Sequence, residues 1–111
     1  MAYRKYKAKK TVVDGITFDS KKEACRYQEL KLMEKAGQIT DLKLQPKFQL
    51  QAKYRNGAGK AIREVSYIAD FQYKQDGKVI VEDVKGVKTE VYKLKKKMFE
   101  FIYYPQVIKK V

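Results

Sequence analysis

The dipeptide Asp76-Gly77 constrains this chain more than any other feature of its sequence. Asp-Gly supplies the two positive-φ positions of a type I′ turn, the turn that closes a two-residue β-hairpin. The flanking segments YIADFQYKQ and KVIVEDVKG are rich in β-branched and aromatic residues, as two paired strands require. With Gln75 opposite Lys78, the register places Asp70 opposite Asp83 and Ile68 opposite Lys85. Side chains that face each other in this way share one side of the sheet, with Cβ atoms roughly 4.5–5.5 Å apart. Lys85, two residues beyond Asp83, lies on that same side.

The remaining elements follow from shorter-range signals. TVVDGITF (11–18) repeats the Asp-Gly device and predicts a small hairpin. Ser20 as N-cap, Glu23 three residues later and Gly37 at the far end predict a helix over 20–36. Alternating polarity predicts a strand from Lys47 to Tyr54, with Pro46 at its start, and RNGAGK (55–60) reads as a turn. A long strand over 61–74 follows, with Val65, Tyr67, Ala69, Phe71 and Tyr73 on one face, and then a central strand over 78–86. Thr89 caps a second helix over 89–102, whose stripe Val91, Leu94, Met98 and Phe101 has core-facing spacing. QVIKK (106–110), after Pro105, predicts a last strand. The expected fold is α/β: helix, three antiparallel strands, helix, strand, with the helices packed on a sheet. A length of 111 residues fits one domain over 11–111 behind a basic arm at 1–10.

Charge narrows the function. There are 26 Lys and Arg against 13 Asp and Glu, a formal +13, and such an excess on a small domain fits a polyanionic partner. The plain alternative is a solvated lysine-rich surface. The absence of histidine removes Ser-His-Asp triads and most zinc sites, and a single cysteine forms no internal disulfide. Catalysis would then rest on carboxylates, lysines, tyrosines and a hard metal ion. No apolar run is long enough for a membrane span, and no apolar segment follows the basic N-terminus, so a cytoplasmic location is expected.

Two facing aspartates within apolar strands are unfavourable unless something positive lies between them. Mg²⁺ or Mn²⁺ would serve, held by Asp70 and Asp83 with the Val84 backbone carbonyl as a further oxygen. Lys85 beside the ion could orient or deprotonate a water, or stabilise charge on a phosphate. Glu23 shares a helix face with Tyr27 and Leu30 and is a candidate third carboxylate. It is equally the acidic half of a capping box with Ser20. Glu82 points to the opposite face from Asp83. Gln45 is either a turn residue or a contact to the site. Lys88, Lys93, Lys96 and Lys97, with Lys21 and Lys22, are candidate phosphate contacts, or else ordinary solvated helix faces. Arg4, Lys5, Lys7, Lys9 and Lys10 could track a nucleic-acid backbone, and the nine tyrosines either stack on bases or fill the core.

The arrangement of Asp70, then Asp83-Val84-Lys85 on a hairpin, behind a helix carrying Glu23, resembles the PD-(D/E)xK nuclease superfamily. FDSKKEACRYQEL, LQPKF, YIADF and VEDVKG, taken in order from about Thr11 to Tyr104, are similar to a phage- and prophage-borne family of small endonuclease-like proteins within it. The resemblance implies a restriction-endonuclease-like α-β-β-β-α-β core and metal-dependent hydrolysis of DNA phosphodiesters in a bacterial host cell. It implies that Asp70 is the first acidic ligand, Asp83 the second and Lys85 the catalytic lysine. Glu23 matches the helix-borne acid of the Holliday-junction-resolvase and transposase-end branches. Ala69 stands where many members have proline. The expectation is a Mg²⁺-dependent DNA endonuclease acting on branched DNA in phage recombination or packaging, with a homodimer supplying two sites for two strands. A non-catalytic nucleic-acid-binding module and a phage protein that binds a host protein remain the rivals.

Overall fold

The computed structural model describes residues 10–84 and 89–111. β1 (Thr11–Val13) and β2 (Ile16–Phe18) form the first hairpin, with Asp14 and Gly15 both at positive φ. α1 (Lys21–Lys35) begins where Ser20 Oγ accepts the Glu23 amide at 3.1 Å. It ends in a Schellman motif, in which Gly37, at φ 79°, donates to Glu34 O and Gln38 donates to Met33 O. Only a residue without a Cβ enters that left-handed conformation at little cost.

Seven strands then precede the second helix: β3 (Thr40–Leu44), β4 (Lys47–Gln51), β5 (Tyr54–Arg55), β6 (Ala61–Ile62), β7 (Val65–Ile68), β8 (Phe71–Gln75) and β9 (Lys78–Asp83). α2 (Glu90–Ile102) follows, capped by the Thr89 hydroxyl, and β10 (Ile108–Lys110) completes the order. The main sheet runs β10-β9-β8-β3, with β10 parallel to β9 and the other pairs antiparallel. It is a mixed sheet in a mixed α/β fold, with two helices among the described residues. No helix among the described residues is long and apolar enough to cross a membrane.

The second hairpin has the predicted register, Gln75 opposite Lys78 through Phe71 opposite Glu82. The predicted 61–74 strand is corrected: it is broken into β6, β7 and β8. The 47–54 strand is likewise divided into β4 and β5, and β3 adds a strand that the sequence reading did not contain. These pieces belong to one long bent ribbon. Leu44 pairs with Phe71 and Lys47 with Ile68, so the register passes unchanged through the corner between them. At that corner Gln45 N donates to Asp70 O at 2.9 Å and Ala69 N donates to Pro46 O at 3.1 Å. Gln45 stands at φ 50°, which turns the backbone and interrupts the alternation a strand would show.

The corner moves one row of side chains between two cores. Phe71 and Tyr73 pack with Ala24, Tyr27 and Leu30 of α1, whereas Tyr67 and Ala69 pack with Tyr92 and Phe99 of α2. The five residues expected on one face are therefore shared between two. On β9 the alternation is regular: Val81 joins the α2 side, and Glu82 meets α1.

The core-facing stripe on α2 is also corrected. Val91, Leu94 and Phe101 are 62%, 57% and 85% exposed, and Met98 is only partly buried. The helix is seated instead by Tyr92, Phe99 and Tyr103. Phe99 lies 4.8 Å from Phe48 and 5.7 Å from Tyr67, centroid to centroid, and Tyr103 stacks on Phe99 at 5.1 Å. Large rings bury more apolar area per residue than aliphatic side chains, and edge-to-face pairs add about 0.5–1.5 kcal/mol each, so the aromatic stripe wins the core.

Candidate functional site

The ribbon corner and the end of β9 bring Asp70 and Asp83 together. Asp83 is the last residue of β9 and is fully buried. Its Oδ2 accepts the Tyr67 hydroxyl, while Oδ1 is buried without a hydrogen bond of normal geometry among the described residues, with the Asp70 carboxyl and the Tyr92 hydroxyl as its polar neighbours. Asp70, half-buried at the corner, accepts the Val84 amide on Oδ2 at 2.6 Å, and its own amide donates to Glu82 O at 3.1 Å. These bonds lock the aspartate to the strand that carries Asp83.

The electrostatics follow from this crowding. Burial, together with the negative charges of Glu23 and Asp83, pushes the Asp70 carboxyl up to about 7, against the opposing pull of the Val84 amide. Glu23 is buried on the first turn of α1 and close enough to repel Asp70. Its amide forms the Ser20 half of the capping box. Burial and the adjacent Asp83 drive the Tyr67 hydroxyl far above its ordinary value, and raise Tyr92 to about 12. Both phenols therefore stay protonated, and Tyr67 stays a donor.

Among the described residues no three Asp, Glu or Cys side chains form a ready ligand cluster. A hard divalent cation nevertheless fits what is present. Mg²⁺ is commonly held by one or two carboxylates, with waters and phosphate oxygens completing its shell. An unsatisfied carboxylate oxygen on Asp83, opposite a carboxyl group whose charge its neighbours disfavour, is a donor set that gains from a cation.

On the other face of β9, Glu82 is fully buried and belongs to a different network, as its opposite orientation predicts. Arg26 grips it with two bonds, Nε to Oε1 at 2.9 Å and Nη2 to Oε2 at 2.6 Å, and the Tyr73 hydroxyl donates to Oε2. Burial raises the Glu82 carboxyl, but the Arg26 and Tyr73 bonds outweigh it and hold the group below the ordinary glutamate range. Arg26 lies one turn after Glu23 on α1, so this pair fixes the helix bearing Glu23 against the strand bearing Asp83. Sequence reasoning missed Arg26, Tyr67 and Tyr73. An acid in an apolar strand such as β9 signals the need for a buried cation, but nothing local identifies which one.

Lys85 and Lys88 lie outside the described residues, as do Arg4, Lys5, Lys7 and Lys9 of the basic arm. Lys10 is exposed, 3.9 Å from Asp19. Lys21 and Lys22 are exposed on the first turn of α1. Lys93 pairs with Glu90 at 3.0 Å and Lys96 with Glu100 at 3.1 Å. With Lys97, Lys110 and Tyr92 they line a groove along α2. Tyr92 joins that groove to the acidic pair, since its ring lies 6.4 Å from that of Tyr67. Gln45 is a turn residue whose amide holds the Asp70 carbonyl.

No curated protein and no solved structure matches the chain. Residues 3–110 match the family described as a protein of unknown function, DUF1064, and the chain belongs to that family.

Proposed function

We propose that this protein is a metal-dependent DNA endonuclease of the PD-(D/E)xK kind, with Asp70, Asp83 and Lys85 at its centre. The observation that carries the reading is the buried Asp83 with one unsatisfied carboxylate oxygen, set against a half-buried Asp70. The element order supports it as well: α1, the antiparallel strands, α2, then β10 parallel to β9, as a restriction-endonuclease-like core requires.

Asp70 and Asp83, with the Val84 carbonyl and with Glu23 directly or through water, would hold Mg²⁺ or Mn²⁺. When bound, the ion supplies Lewis acidity to the phosphate and acidifies an attacking water. Tyr67 fixes the rotamer of Asp83, and the Val84 amide fixes that of Asp70. Lys85, assigned by its position in the sequence, orients the water and balances charge on the phosphate. The water oxygen bonds to phosphorus, one P–O ester bond breaks, and the leaving oxygen is protonated. The lysine groove on α2 holds the flanking backbone, and a homodimer would present two such sites to two strands.

The test is incubation with linear, flapped and four-way-junction DNA, with Mn²⁺ and with EDTA. Cleavage of at least one substrate that requires metal, and falls by about 10²-fold or more in Asp83→Asn while binding persists, is the expected result. Cleavage by Asp83→Asn at the parent rate, or no cleavage of any substrate, overturns the assignment. The second reading, a non-catalytic nucleic-acid-binding module, is favoured by the basic surface alone and predicts binding without cleavage.

A further inference from the structure

The far end of the bent ribbon projects from both hydrophobic cores, and no residue from 51 to 64 joins either. Tyr54 pairs with Ile62 and Arg55 with Ala61, and the side chains from residue 51 to 64 are exposed apart from half-buried Asn56 and Ile62. The tip builds its own shape. Asn56 Oδ1 accepts the amides of Ala58 and Lys60, Asn56 N donates to Lys60 O, and Arg55 Nη1 donates to Gly59 O at 2.8 Å. Gly59 stands at φ 79°, a conformation that this closed turn needs.

Residues 52–63 hold four cations, Lys53, Arg55, Lys60 and Arg63, and no acid. Among the described residues none of the four forms an ion pair. The adjacent Glu64 is already engaged by Lys47 at 3.1 Å and by Ser66 and Gln49. Alternation along the paired strands sorts the tip into two faces. Arg55 and Ala61 share one face, and continuing the register adds Lys53 and Arg63 to it. Tyr54 and Ile62 share the other. Four like charges repel one another, and apart from the Arg55 bond to Gly59 O the described residues offer them no acidic partner.

We propose that this β-ribbon tip is a DNA-binding arm that enters the major groove of B-form duplex DNA, with Lys53, Arg55, Lys60 and Arg63 on the phosphates and groove edges. A two-stranded ribbon fits a groove about 12 Å wide and 8.5 Å deep. The major groove of A-form RNA is too narrow to admit it. A ribbon whose tip is shaped by its own hydrogen bonds also suits a regular duplex better than a flexible single strand. The proposal rests on the nucleic-acid part of the function above and is independent of cleavage.

The test compares the parent with K53Q/R55Q/K60Q/R63Q, in EDTA, binding a short DNA duplex and the same sequence as duplex RNA over a range of salt. The four neutralised residues are expected to weaken DNA binding about tenfold or more. They should also flatten the slope of log K against log salt by about 2–4, at roughly 0.9 for each phosphate that is no longer neutralised. The charge-conserving K53R/R55K/K60R/R63K variant should keep the parent slope, and thermal melting of both variants should match the parent. Methylation of guanine N7, which lies in the major groove, should interfere with binding by the parent only. A parent-like slope and affinity in the neutralised variant overturn the arm, as does RNA binding equal to DNA binding. If binding depends on the arm but no substrate is ever cut, the arm stands and the nuclease reading fails. If DNA is cut with no dependence on the arm, the nuclease reading stands and the arm fails.

Discussion

Arg26→Met leaves the fully buried Glu82 carboxylate without its cation. Breaking a buried ion pair by removing one partner costs about 3–5 kcal/mol, because the remaining charge stays desolvated. Tyr73 still donates to Glu82, which places the expected loss near about 3 kcal/mol. With an unfolding entropy of about 2.1 cal/mol/K per residue, that lowers Tm by about 13 °C in a chain of 111 residues. The effect depends on pH. In the parent, Arg26 and Tyr73 hold the folded Glu82 below its ordinary value of 4.5, so the pair stabilises above that value and the contribution fades as pH falls. In the variant, the isolated carboxyl is relieved by protonation. The gap between parent and variant should therefore be widest at pH 7 to 8 and close as acid is added. Urea denaturation at several pH values measures it. Arg26→Met/Glu82→Gln, which keeps an acceptor for Tyr73 and no charge, should recover most of the stability. A deficit that does not change between pH 8 and pH 4, or no recovery in the double variant, would refute the reasoning.

Asp70→Asn should stabilise the metal-free protein at pH 8. Its carboxyl is raised in the folded state to about 7, so the folded protein loses stability as pH climbs from the ordinary aspartate range through neutrality, and the amide removes that loss while still accepting the Val84 N–H. Melting in EDTA should show the gain at pH 8 and its disappearance near pH 4; a gain that grows in acid contradicts the assignment. Phe99→Ala should cost about 3–5 kcal/mol, whereas Phe101→Ala, two residues on and 85% exposed, should change stability by no more than about 0.5 kcal/mol by urea denaturation. Equal effects would mean that α2 is seated on its aliphatic face.

Much of the fold was legible because its signals are local. Both Asp-Gly turns set their hairpins, and Ser20, Gly37 and Thr89 set the helix ends by bonds that span a few residues. The meeting of Asp70 and Asp83 followed from one turn and simple counting. β3 was not legible, because Asp41, at positive φ, disturbs its alternation and Gln45, also at positive φ, turns the chain directly after it. The seating of α2 was ambiguous in principle. The helix carries two apolar rows, Val91-Leu94-Met98-Phe101 and Tyr92-Phe99-Tyr103, and only the aromatic surface of β4 and β7 decides between them. Tyr67 escaped for the same reason as Arg26: each reaches its acid across the tertiary structure. Lys85 and residues 1–9 of the expected 1–10 arm lie outside the described residues and stand as expectations from the sequence.

The unchanged register through the ribbon corner limits how the chain can vary in length. From Leu44–Phe71 to Lys47–Ile68 the two strands advance in step, so one extra residue on either side would turn every later side chain over. The meeting of Asp70 and Asp83 is set separately, by the Asp76-Gly77 turn, so an insertion on the 44–47 side would displace β4 and its Phe48 without parting the two aspartates. Single insertions and deletions should therefore be selected against at the corner itself, residues 44–47 and 68–71, whereas beyond it the ribbon already absorbs one extra residue between Gln49 and Gln51, and at the 56–60 loop a change in length leaves the pairing intact.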